Sequence, residues 1–128
     1  MISTYGTVFI SVKDSEKQNA IKIAARFHQL GFKLLATEGT ANVLAEEGIT
    51  TGIIGKVQEG SNSLLEKIKQ HRINLAINVT SLSDSASHDA IMIKDAALST
   101  HIPVFSSLQS AQDVLTVLET LAMTTQPL

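Results

Sequence analysis

Residues 37–40 have the sequence Thr37-Glu38-Gly39-Thr40 and directly follow an apolar run at residues 32–36. A helical pattern of apolar residues begins at Ala41, so a strand, a glycine turn and a helix start lie within a few residues of one another. We therefore expect two hydroxyl groups and the free backbone N–H groups of the helix start to face one point. The N–H groups and the helix dipole favour an anion at that point, and phosphate above all.

Segments typical of strands and helices alternate along the rest of the chain, which predicts one domain over residues 1–128. Strands are predicted at residues 7–12, 32–36, 49–54, 73–78 and 103–105. Helices are predicted from Ser15 to the glycine at 31 and at residues 41–47, 62–70, 88–99 and 110–123, with a frayed tail at 124–128. This alternation is typical of a three-layer α/β sandwich, in which helices cover both faces of a five-stranded parallel sheet. The pattern alone does not determine the strand order.

The composition excludes several classes of function. The chain has no cysteine, so it has neither disulfides nor thiolate metal sites. Its net charge of −2 gives no overall attraction to nucleic acid or to an anionic membrane, and we expect neither as a partner. The apolar runs are too short to span a membrane and no signal peptide is recognisable, so we expect a cytoplasmic location. The four histidines lack the spacing of metal ligands, and no metal site is expected.

Polar side chains follow every predicted strand. In a parallel sheet the carboxyl ends of the strands lie at one edge, and ligands bind beyond that edge. The five strand ends carry, in chain order, Ser11, Lys13 and Lys17; Thr37, Gly39 and Thr40; Lys56; Asn78, Thr80 and Ser81; and Ser106 and Ser107. Hydroxyl, amide and ammonium groups beside helix starts are the donors that bind phosphate.

Lys17 is the most informative single residue, because it lies on the buried stripe of the first helix, three residues before Ala20. It also lies in the first helical turn, where the dipole disfavours a cation unless an anion is bound nearby. The alternative is that Lys17 extends into solvent or pairs with Asp14. Thr40 is expected to be the N-cap of the next helix, since Thr is a favoured cap residue, and this role does not exclude a contact with phosphate. Lys56 alone is more typical of a solvated loop.

The motifs together recur, in the same order, in one family. They are Ile10-Ser11-Val12, Lys17, Gly31-Phe32, residues 36–41, Gly48-Ile49, residues 56–60 (Lys-Val-Gln-Glu-Gly) and residues 77–81 (Ile-Asn-Val-Thr-Ser). From about Gly6 to Met123 the chain resembles the methylglyoxal-synthase-like domain. Within this family, the chain most resembles the C-terminal allosteric domain of the carbamoyl phosphate synthetase large subunit.

This resemblance implies a parallel sheet with strand order 3-2-1-4-5 and a site for a phosphorylated nucleotide effector. The residues implied to bind the effector phosphate are Lys17, Thr37, Gly39 and Thr40. The residues implied to bind the remainder of the effector are Ser11, Lys56, Asn78, Thr80 and Ser81. The implied effectors are UMP as inhibitor and IMP or PRPP as activator, with ornithine acting near the domain border in some members.

The resemblance also implies that the domain is a fragment of a larger ligase and has no reaction or cofactor of its own. The whole synthetase makes carbamoyl phosphate from bicarbonate, glutamine and ATP with Mg or Mn, for pyrimidine and arginine biosynthesis. The domains that use ATP, and the glutaminase small subunit that supplies ammonia, are the implied partners.

Departures from the family pattern distinguish its branches. Methylglyoxal synthases carry Gly-Gly-Asp after the third strand, where the Asp is the base, but residues 59–61 of this chain are Glu59-Gly60-Ser61. We therefore expect a sensor, and a phosphate-substrate lyase of the methylglyoxal synthase type is the alternative. The Lys-His pair of the purine cyclohydrolase branch is also missing. Residues 82–84 are Leu82-Ser83-Asp84, where many synthetases carry Gly and paired arginines, so regulation and effector identity are open.

Overall fold

The computed structural model describes residues 6–54, 63–80 and 84–125, and the predicted alternation of strands and helices is confirmed within them. The strands are β1 (Thr7–Val12), β2 (Lys33–Ala36), β3 (Gly52–Ile53), β4 (Leu75–Val79) and β5 (Val104–Phe105). The helices are α1 (Lys17–Gln29), α2 (Glu38–Glu46), α3 (Ser63–Lys69), α4 (Asp84–Thr100) and α5 (Leu108–Thr125). None of these described helices is both long and apolar enough to cross a bilayer.

The strands form one parallel sheet in the order β3-β2-β1-β4-β5, which confirms the expected topology. β1 lies at the centre, where Ile10 is opposite Ala36 of β2 on one side and Ile77 of β4 on the other. Its β-branched, apolar sequence suits this position, because a central strand of a parallel sheet is buried on both faces.

Two apolar clusters hold the helices against the sheet. Val8, Ile10 and Val12 of β1 face one cluster, which α1, α2 and α5 complete. Phe9 faces the other cluster, which α3 and α4 complete. Because successive side chains of a strand point to opposite faces, β1 contributes to both clusters. The result is the expected three-layer sandwich.

Several element boundaries differ from those predicted. α1 begins at Lys17 rather than Ser15, because a 3-10 turn at Asp14–Glu16 precedes it. α2 begins at Glu38 rather than at residue 41, and α4 begins at residue 84 rather than 88. β3 is confined to residues 52–53, which pair with Leu35 and Ala36 at the end of β2. α5 continues to residue 125, and residues 126–128 lie outside the described part.

Asn74 joins β1 to β4 at the amino end of the sheet. Its side-chain Oδ1 accepts a hydrogen bond of 2.8 Å from the Thr7 N–H, and its own N–H donates to the Thr7 carbonyl at 2.8 Å. Gly6 lies against this side chain with φ of +139°, and a Cβ added there would lie 2.2 Å from Asn74 Oδ1. Asn74 therefore extends the pairing of β1 and β4 by one residue.

Candidate anion-binding site

The turn between β2 and α2 brings two threonine hydroxyls against the end of β1. Thr37 has an extended backbone (φ −68°, ψ 158°) and is the residue that precedes α2. Its hydroxyl does not cap the helix and instead lies 2.9 Å from the Ser11 hydroxyl. The expectation that Thr40 is the N-cap is wrong, since Thr40 lies inside the first turn and its Oγ1 accepts a 3.2 Å hydrogen bond from the Val12 N–H. Both threonine side chains are buried.

Lys17 completes the site from the start of α1. Its Nζ donates to the Val12 carbonyl at 3.0 Å and to Asp14 Oδ1 at 2.5 Å, so the predicted pairing with Asp14 is present. The side chain nevertheless does not extend into open water, because it is only 17% exposed. It lies over Gly39, where an added Cβ would be 3.3 Å from Lys17 Cε and 3.6 Å from Nζ.

Gly39 allows this close approach. A methyl group at that position would contact Lys17 Cε tightly enough that the lysine would have to shift by a few tenths of an ångström. The ammonium group thus lies beside the backbone N–H groups at the start of α2, which have no partners within the helix. We call the group formed by Lys17, Thr37, Gly39 and Thr40 the α2 site.

Asn78 and Thr80 lie at the same edge of the sheet, on the neighbouring strand end. Asn78 is opposite Ser11 in the register of β1 and β4, and both residues are on the face covered by α3 and α4. Thr80 directly follows β4 and is half-buried. A 2.8 Å hydrogen bond from the Lys13 N–H to the Val79 carbonyl holds the two strand ends together.

The structure therefore brings Ser11 and the α2 site into contact, with Asn78 and Thr80 along the same edge. Lys56 and Ser81, the other predicted effector residues, lie outside the described residues, as does the loop at residues 59–61. Asp14 is part of the site, although the sequence suggested it only as an alternative partner for Lys17. Its spacing of three residues from Lys17 is the signal that could have identified it.

The site is an arrangement of hydrogen-bond donors with one cation. An ammonium group, two hydroxyls and a helix start converge there, a combination that suits a phosphate group. In the part of the chain that the structure describes, no three His, Cys, Asp or Glu side chains come together as a metal site would require.

The fold is an α/β sandwich. The polar groups at the carboxyl edge of its sheet form a candidate anion site beyond the ends of the central strands. The family described as the MGS-like domain matches residues 19–106, more than half of the chain, and the protein belongs to that family. The matched segment contains residues 37–40 and Asn78 but begins after Lys17.

Many solved structures share this fold, including the following two. One is a methylglyoxal synthase from Elizabethkingia anophelis NUHP1, which is 17% identical over 89% of this chain and 79% of that one, with a TM-score of 0.69. The other is ForH, which is 22% identical over 91% of this chain and 80% of that one, also with a TM-score of 0.69. At these identities the similarity concerns the fold.

Proposed function

We propose that this chain is a regulatory effector-binding domain of the carbamoyl phosphate synthetase type, which binds the phosphate of UMP, IMP or PRPP without transforming it. The observation that carries the proposal is the position of the Lys17 ammonium group over Gly39 in the first turn of α2. Lys17 is also the first residue of α1, so a positive charge lies at the positive ends of two helix dipoles. Asp14 and Glu38 offset part of that positive charge, and a bound phosphate would offset it further.

The hydroxyl groups of the site fit the same ligand. The Thr40 hydroxyl accepts from Val12 and retains its own proton for donation. Ser11 and Thr37 share one hydrogen bond between two hydroxyl groups, so only one of their two protons is used in it. Hydroxyl protons therefore remain for donation to a phosphate oxygen. Asn78 and Thr80, along the same edge, are the residues we propose for the nucleoside part of the effector.

A binding role is favoured over the lyase alternative by the carboxylates available. A lyase of the methylglyoxal synthase type needs a carboxylate base, and the family position for it holds Ser61. Among the described residues of the site, the carboxylate of Asp14 is already ion-paired with Lys17. The synthetase assignment itself depends on the order of sequence motifs and implies a place in a larger cytoplasmic ligase.

Titration calorimetry with UMP, IMP and PRPP tests the proposal. We expect at least one of them to bind the wild-type chain, and Lys17→Ala to weaken that binding by about tenfold or more, since hydrogen bonds to charged groups contribute about 1.5–3 kcal/mol. Lys22→Ala is the matched control, because it removes the same charge from an exposed position of the same helix. Equal affinity in the wild-type chain and Lys17→Ala contradicts the proposed site.

Gly39→Ala provides a second variant, in which effector binding should fall without a loss of stability. Alanine is the better helix former, so the free energy of unfolding stays the same or rises by up to about 1 kcal/mol. The added methyl group makes Lys17 shift by a few tenths of an ångström, so we expect effector affinity to fall. Incubation with dihydroxyacetone phosphate tests the lyase alternative. Formation of methylglyoxal is expected of a lyase and contradicts a purely regulatory role.

A further inference from the structure

We propose that Asp14 sets the affinity of the α2 site for phosphate by competing for the ammonium group of Lys17. This inference rests on the proposed function and names a residue that lowers the phosphate affinity of the same site. The Asp14 carboxylate accepts from Lys17 Nζ at 2.5 Å, and it belongs to the 3-10 turn that joins β1 to α1. A carboxylate of the protein and a phosphate of a ligand therefore require the same donor.

The position of Asp14 is maintained by the backbone around it. The Lys13 N–H donates to the Val79 carbonyl at 2.8 Å, and the Glu16 N–H donates to the Lys13 carbonyl at 2.9 Å. These bonds hold the turn against the sheet and keep the carboxylate beside Lys17. A phosphate on the ammonium group is then close enough to Asp14 for the two negative charges to repel each other.

The competition lowers affinity without preventing binding. The Asp14 side chain is 99% exposed, and exposed ion pairs of this kind are weak. Lys17 is held independently of Asp14, because its Nζ also donates to the Val12 carbonyl at 3.0 Å and its stem lies over Gly39. Removing the Asp14 charge therefore leaves the ammonium group in place with one competitor fewer.

Glu16 offers a matched control within the same turn. It carries the same charge two residues further along, and its Oε2 accepts from Asn19 Nδ2 at 3.1 Å rather than from Lys17. Glu16→Gln and Asp14→Asn change the net charge and the charge near the start of α1 equally. Only Asp14→Asn removes a direct contact with Lys17.

The experiment measures the thermal unfolding midpoint against the concentration of inorganic phosphate, which gives the dissociation constant for each variant. We expect Asp14→Asn to bind phosphate about three- to tenfold more tightly than the wild-type chain, and Glu16→Gln to change the affinity by less than about twofold. The advantage of Asp14→Asn should decrease at high ionic strength, because both charges are near the surface.

The outcomes separate this inference from the proposed function. If the wild-type chain binds phosphate and Asp14→Asn binds equally or more weakly, Asp14 does not compete, and only this inference is overturned. If Glu16→Gln gains as much as Asp14→Asn, the effect is one of net charge and the inference is likewise overturned. If neither the wild-type chain nor Asp14→Asn is stabilised by phosphate, both proposals fail.

Discussion

At the amino end of the sheet, Asn74 bonds to the N–H and the carbonyl of Thr7 and so extends the pairing of β1 with β4. At the carboxyl end, Thr40 and Lys17 likewise bond to the N–H and the carbonyl of one β1 residue, Val12. The difference lies in the chemistry of the groups. The Asn74 side chain is neutral, whereas Lys17 brings a positive charge beside the first turn of α2, where an anion is favoured. We therefore expect the polar residues at the first end to stabilise the fold, and we propose that those at the second end also bind a ligand.

The largest expected effect is at the amino end. Gly6→Ala places a methyl group in contact with Asn74 and requires a φ of +139°, so we expect the free energy of unfolding to fall by about 3 kcal/mol. Gly31→Ala is the control, because Gly31 also has a positive φ of +97°. Beyond its chain neighbours, no atom of the described residues lies within 4 Å of its added Cβ, so the cost is about 1–2 kcal/mol of strain alone. Urea denaturation measures both, and equal losses mean that the contact with Asn74 contributes nothing.

The next effect compares the two ends directly. Asn74→Ala and Thr40→Val each remove the acceptor of a β1 N–H group, so each should cost about 1–3 kcal/mol of unfolding free energy. Only Thr40→Val should also weaken effector binding, by about tenfold, because a bond to a charged phosphate is lost. Unfolding measurements and calorimetry on the same samples test this. A similar loss of affinity in Asn74→Ala means that the two ends are not functionally distinct.

The smallest expected effect on stability comes from an ion pair that lies at neither end of the sheet. Arg26 and Glu119 join α1 to α5 through two hydrogen bonds, and the hydrogen bond with Arg26 lowers the pKa of Glu119 below its ordinary value. Both side chains are about one-third exposed, so the pair contributes about 0.5–1 kcal/mol. Because the folded pKa is the lower one, this stability is present at neutral pH and is lost as the pH falls through the carboxyl range to the lowered pKa.

Urea denaturation of the wild-type chain and Glu119→Gln as a function of pH checks this sign. The variant should be less stable at neutral pH and should approach the wild-type chain in acid. Effector affinity at neutral pH should be unchanged. A stability difference that does not depend on pH contradicts the role of the ionised pair.

The alternation of apolar runs was sufficient to predict the layers, and the resemblance supplied the strand order. The sequence of β1 is a β-branched, mainly apolar run, as expected of a strand whose two faces are both buried. The start of α2 was misplaced because glycine and threonine are poor helix formers and the favoured cap residue, Thr40, has its partner on β1. That partner is distant in sequence, so local pattern cannot reveal it.

The residues of the candidate site were largely predicted from the sequence, but some of their contacts were not. Residue type and strand ends selected Ser11, Lys17, Thr37 and Thr40, which the structure brings together. The structural role of Asn74 was missed, because a single polar residue in an apolar run does not show which backbone group it bonds. The closeness of Gly39 to Lys17 depends on the packing of α1 against α2, which one-dimensional pattern does not contain.

The two bonds to Val12 have a consequence for observing the protein in solution. Its N–H is bonded by Thr40 and its carbonyl by Lys17, so one residue in the middle strand is in contact with both a hydroxyl and the cation of the site. Any ion that draws either side chain toward itself changes the magnetic environment of that residue. Isotope labelling of valine should therefore give a nuclear resonance signal that reports occupancy from inside the sheet, without a probe attached to the surface.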